Sequence, residues 1–182
     1  MPIVVKFHKD AILHSLSHFR MLDNDVKTEL IKVGVSETDI AKQLQIYGSK
    51  FYESFARSPQ DVLMRLQQTF PERFENIQFE EDKRARLSFQ FDTPVGISNI
   101  IDIADLTAEE RKTIREEDRN GYLVRTVETR RSINTYECQL ILAASEDGYE
   151  FCSTFPGELA PPLQRKGYSS PYWDTHLFIR QQ

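Results

Sequence analysis

The residues best suited to chemistry are one hydroxyl and one imidazole. Thr154 stands in Cys152-Ser153-Thr154-Phe155-Pro156-Gly157-Glu158-Leu159-Ala160-Pro161-Pro162, and His176 closes Tyr172-Trp173-Asp174-Thr175-His176. Proline lacks a backbone donor and Pro156-Gly157 dictates a turn, so the strand ends there and sets the Thr154 hydroxyl at a sheet's rim. A histidine takes up or releases a proton near neutral pH, and a hydroxyl can hold a phosphate oxygen or orient a nucleophile. With an arginine to stabilise developing negative charge, these make a minimum set for metal-free cleavage of RNA by its own ribose hydroxyl. The competing reading is a strand-end threonine and a histidine satisfied within a terminal strand.

Arg119, Arg125, Arg130 and Arg131 form a basic stretch in an acidic chain, and Arg86 lies between Ala85 and Leu87 of an apparent strand. Guanidinium forks fit phosphate, which makes Arg125 a candidate to stabilise charge and Arg119 and Arg86 candidates to bind substrate. A solvated strand end and loop explains the same charges. Gln139, beside Thr154, and Trp173, before His176, complete the candidate set. His14 and His18 are four apart, but the glutamate of the zinc-protease motif and a third ligand are missing. Cys138 and Cys152 match no metal spacing. No metal and no cofactor is expected.

The chain has 182 residues, 40% of them hydrophobic and 11% aromatic, enough for a real core. Its net charge of −5 argues against broad coating of nucleic acid and leaves room for a small basic cleft. No apolar run is long enough to span a membrane, and the expectation is a cytoplasmic protein with reduced thiols.

The elements that must position these groups change character along the chain. Residues 1–75 read as helical. A first helix carries Ile12, Leu13, Leu16 and Phe19, a second Val26, Leu30 and Ile31. A long third helix is capped by Ser36 and buries Ile40, Leu44, Tyr47, Phe51 and Phe55. A fourth starts at Ser58-Pro59 with Leu66 and Phe70 inward. Residues 76–182 read as an antiparallel sheet. Leu87, Phe89 and Phe91 alternate as in a strand, and a charged crossover helix starts at the capping box Thr107-Ala108-Glu109-Glu110 and stops near Asn120-Gly121. Tyr136–Ala144 and Tyr149–Phe155 read as a hairpin turned by Asp147-Gly148. That turn sets Ala144 opposite Phe151, Leu142 opposite Ser153 and Leu140 opposite Phe155. Thr154 then falls on the more polar face, and the two cysteines face opposite ways, against a disulfide. A last strand from Trp173 to Ile179, with Trp173 inward, turns His176 to the face of Thr154 if both strands belong to one sheet.

From about residue 93 onward the chain resembles bacterial ribonucleases of the barnase–EndoU–colicin–RelE-like superfamily, found in toxin systems and phage-associated proteins. The resemblance rests on Val95-Gly96-Ile97-Ser98, Arg119-Asn120-Gly121, Thr154-Phe155-Pro156-Gly157 with Ala160-Pro161-Pro162, and Trp173 with His176. It implies that His176, Thr154 and Arg119 or Arg125 line an RNA cleft. The expectation is therefore an α+β protein of one of two kinds. The first is a metal-independent endoribonuclease with RNA as its partner. The second is a non-catalytic module that binds a protein such as an antitoxin or immunity protein, a reading favoured by the acidic balance.

Overall fold

The computed structural model describes residues 2–180. In chain order the elements are β1 (Val5–Lys6), α1 (Lys9–Ser15), α2 (Asn24–Lys32), α3 (Glu37–Gln45), β2 (Lys50–Phe51), α4 (Pro59–Thr69), β3 (Arg84–Gln90), β4 (Gly96–Ile97), β5 (Ile100–Asp102), α5 (Ala108–Arg111), β6 (Arg115–Arg119), β7 (Tyr122–Val127), β8 (Asn134–Thr135), β9 (Glu137–Ser145), β10 (Gly148–Pro156), α6 (Pro171–Thr175) and β11 (His176–Ile179). Single 3₁₀ turns occupy Leu16–His18, Pro71–Phe74 and Ile103–Asp105. The strands form three mostly antiparallel sheets, β1-β10-β9-β3, β5-β11-β7-β6 and the small β2-β4-β8. The class is α+β.

Contacts divide the chain into two units. Unit 1 comprises residues 1–97 and 135–158, and unit 2 comprises 98–134 and 159–182. The sequence boundary at 75/76 separates helix-rich from strand-rich chain. The contacts instead group the early helices with β3, β9 and β10.

In unit 1 the helices begin where local chemistry puts them. The Ser36 hydroxyl accepts from Asp39 N–H, and Ser58 caps α4 by accepting from Asp61 N–H, each at 3.0 Å. The third helix is shorter than its apolar stripe suggested. It ends at Gln45, Tyr47 is exposed, and Phe51 enters the core from β2 instead. There β2 passes so close to Gly96 that a Cβ on that glycine would collide with the Lys50 carbonyl. One face of β1-β10-β9-β3 is covered by a core of Phe51, Val62, Leu66, Phe89, Leu140, Leu142 and Phe151.

The β9–β10 hairpin differs from the expected register. Its two turn residues are Glu146 and Asp147, so Gly148 pairs with Ser145 and Phe151 with Leu142. Cys152 is then an extra residue, a bulge, after which Ser153 pairs with Ile141, Thr154 with Leu140 and Phe155 with Gln139. Leu140, Leu142 and Phe151 share the buried face as expected, but Phe155 does not. Because the side-chain period is two, one inserted residue exchanges the faces beyond it.

In unit 2 the capping box at Thr107 and Glu110 forms, but α5 is a single turn and the charged stretch after it is a strand. Asn120 and Gly121 both have positive φ, 55° and 85°, and join β6 to β7 with Arg119 opposite Tyr122. This is a tight hairpin where a helix end was expected, and the Asn-Gly pair is its own signal. The last strand is also shorter. Pro171 starts α6, so Trp173 lies on a helix, and alternation begins only at His176. Leu177 and Ile179 enter a core with Ile101, Leu106 and Val127. Among the described residues no helix is long and apolar enough to cross a membrane.

Truncating Leu142 to Ala should remove roughly 2–5 kcal/mol of stability, as for a fully buried leucine. Urea denaturation checks this, and a loss well under 1 kcal/mol would contradict the core assignment.

Candidate functional site

The bulge decides the environment of Thr154. Past Cys152 its side chain turns onto the core face opposite Leu140, where its solvent exposure is 0%. Its hydroxyl donates to the Gln139 carbonyl at 2.7 Å and lies 4.0 Å from the Cys138 sulfur. Burial pushes the Cys138 thiol up to about 12, far from the nucleophilic thiolate. Thr154 is therefore adjacent to Gln139 in space, but on the opposite face from the one expected.

Gln139 is itself buried, and its amide is used at both ends. It accepts from the Ser88 hydroxyl at 2.5 Å and donates to the Gly157 carbonyl at 2.9 Å, tying β3 to the turn after β10. On the same open face of β3, Arg86 meets Asp82 at 2.6 Å and Glu80 at 2.7 Å. This Arg86 guanidinium holds the Asp82 carboxyl below its ordinary range.

The remaining candidates belong to unit 2. His176 lies on β11, in a different sheet from Thr154, so the alternation argument that gave them a common face does not apply. The His176 ring stacks on Tyr172, with centroids 4.0 Å apart and planes 3° from parallel. Its Nδ1 lies 2.9 Å from the Tyr172 carbonyl and from Thr175 Oγ1, and its Nε2 is 3.9 Å from an Asp102 carboxylate oxygen. Arg125 reaches the same turn, donating to the Trp173 and Asp174 carbonyls at 2.9 and 2.8 Å. Those carbonyls belong to the last turn of α6, where a cation is favoured. Trp173 is buried; its indole N–H donates to the Pro162 carbonyl and its ring stacks on Phe178. Structure thus brings His176, Arg125 and Trp173 together around one helical turn.

Arg119 pairs with Glu117 through Nε and a terminal nitrogen. Arg131 grips Glu110 through two nitrogens at 3.0 Å and also donates to the Asp105 carbonyl. That guanidinium, with the Thr107 N–H and the Thr129 hydroxyl, holds the Glu110 carboxyl down at about 2. Arg180, which spacing did not single out, joins Thr126, the Thr113 carbonyl and Glu128. Of the basic stretch, Arg130 is the exposed member without an acidic partner among the described residues.

His14 and His18 are not on one helix, because α1 ends at Ser15. The His18 Nδ1 lies 3.0 Å from the Ser49 carbonyl and 3.2 Å from its hydroxyl, and its ring packs against Phe155. Among the described residues no group of three or more His, Cys, Asp or Glu could hold a metal ion. Comparison with known proteins finds no family model and no curated protein that matches the chain.

Two outcomes follow from this geometry. Thr154→Val keeps the shape but removes the hydroxyl's hydrogen bond to the Gln139 carbonyl, and should cost about 1 kcal/mol in chemical denaturation. Burial holds the His18 ring down at about 4 against an ordinary 6.5. The unfolded chain therefore binds a proton below 6.5 that the folded chain refuses until about 4. This contribution should be intact above pH 6.5 and fall by up to roughly 3 kcal/mol on acidification. His18→Gln should flatten that part of the stability–pH profile.

Proposed function

We propose that this chain is a non-catalytic protein-binding module. The observation that carries the reading is the complete burial of Thr154, whose hydroxyl donates within its own sheet. Further support comes from Arg86, Arg119 and Arg131, which already have carboxylate partners, so a phosphate would have to displace them. The net charge of −5 suits a protein partner with basic character better than it suits RNA.

A second reading, metal-independent RNA cleavage of the kind the ribonuclease resemblance implies, has support from unit 2. There His176 has Asp102 near one ring nitrogen, and Arg125 of β7 donates to carbonyls of the adjoining helical turn. A histidine held by its neighbours with a carboxylate 3.9 Å from one ring nitrogen is a usable acid–base group.

The two readings separate in one assay. Purified protein and His176→Ala are incubated with single-stranded and structured RNA in excess chelator. The binding module predicts no cleavage by either protein. Chelator-resistant cleavage that the substitution abolishes would overturn it in favour of the nuclease.

A further inference from the structure

Among the described residues, unit 1 leaves a long strand edge unpaired. The outer strands of β1-β10-β9-β3 are β1, of 2 residues, and β3, of 7 residues. In an antiparallel pair, alternate residues turn their backbone groups toward the partner and away from it. The Lys83 carbonyl accepts from the Ala144 N–H and the Phe91 N–H donates to the Tyr136 carbonyl, so the odd-numbered residues of β3 bond β9. The even-numbered residues turn their N–H and C=O groups outward. Arg84 follows this parity: its carbonyl accepts from the Glu80 N–H, and its own N–H donates to Asp82 Oδ1 in the turn before the strand. The backbone groups of Arg86, Ser88 and Gln90 have no such partner among the described residues, and Ser88 and Gln90 are exposed.

Sheet edges are ordinarily guarded by charge, proline or brevity. The edge strand β6 carries Glu116, Glu117 and Asp118, which would repel a second copy of itself. Residues 87–91 of unit 1 have neither charge nor proline, and the Arg86 charge before them is already met by Asp82 and Glu80. The free groups of β3 are also self-complementary. When two copies run antiparallel about a two-fold axis at Ser88, Ser88 meets its own mate and Arg86 meets Gln90. Every free N–H then faces a free C=O. An axis at Leu87 or Phe89 sets one free residue of each copy opposite a residue outside that set, and an axis at Arg86 sets like charges opposite each other.

Side chains agree with the same register. It sets half-buried Leu87 of one copy across from Phe89 of the other on the core face. At each end it brings Arg84 of one copy level with Asp92 of the other. Both are exposed, and neither has an oppositely charged partner among the described residues. We propose that the occupant of this edge is a second copy of the chain, joined as a two-fold dimer by antiparallel pairing of β3 with β3 centred on Ser88. The two sheets then become one, with β3 at its centre. The dimer is independent of both functional readings.

The test is sedimentation equilibrium of the whole chain over a concentration series, with amide exchange followed at each end of the series. A monomer–dimer equilibrium is expected, and the Arg86, Ser88 and Gln90 amides should gain protection as the dimer forms. Gln90→Pro removes an outward N–H without touching the β9 ladder, so it should abolish the dimer and leave the monomer folded. Asp92→Arg should weaken association about fivefold, because two surface ion pairs become repulsions. Adding Arg84→Asp to that variant should restore association, which a merely structural role for either residue would not do and which holds even if the proline variant fails to fold. A monomer at every concentration would overturn the proposal and leave the edge to a strand of another protein. A dimer whose Arg86, Ser88 and Gln90 amides still exchange freely, or one indifferent to the charge exchange, would place the interface elsewhere and overturn it too.

Discussion

The β9–β10 pairing is the constraint on which unit 1 depends. These two strands occupy the middle of β1-β10-β9-β3, and every other strand of that sheet pairs with one of them. Their register therefore determines which side chains meet α4 and the early aromatics. The Cys152 bulge divides the hairpin into two stretches of opposite parity. Toward the turn it sends Phe151 inward beside Leu142. Toward Pro156 it sends Thr154 inward and leaves Phe155 to pack on His18. A threonine with its hydroxyl bonded to the next strand's carbonyl is compatible with that core, whereas an unpaired hydroxyl would not be.

The cationic groups obey a related rule. In a chain with more carboxylates than Lys and Arg, an arginine on a short strand finds an acid or a free carbonyl nearby. Arg86 and Arg131 clamp carboxylates, whereas Arg125 closes the end of a helical turn. Each arrangement orders a loop or a strand end and draws down the field available to a passing anion.

What was legible in the sequence was local. Ser36, Ser58 and Thr107 cap helices because the bond spans only three residues, and Leu87–Phe91 alternates because one face of β3 is buried. The α+β class followed from these signals. The bulge was not legible, because an extra residue in one strand is defined only against its partner. The stripe Ile40–Phe55 looked continuous, yet Phe51 reaches the core from a strand, a tertiary override of helical spacing. Two misses had visible signals. Asn120-Gly121 is a hairpin pair, and Ser170-Pro171 is a helix start that removes Trp173 from the final strand. The candidate site shared this limit. His176, Arg125 and Trp173 converge because they surround one short helix, but the inward turn of Thr154 depends on the bulge.

The order of the strands also bears on how the chain is made. Unit 1 is interrupted by residues 98–134 of unit 2, and its two central strands come after that insertion. During synthesis β1 and β3 therefore leave the ribosome with no strand to pair with, and β1 waits for partners more than a hundred positions downstream. Formation of the β1-β10-β9-β3 sheet is a late event governed by loop closure, and the early helices, with their aromatic side chains, must stay soluble until Pro156 has emerged.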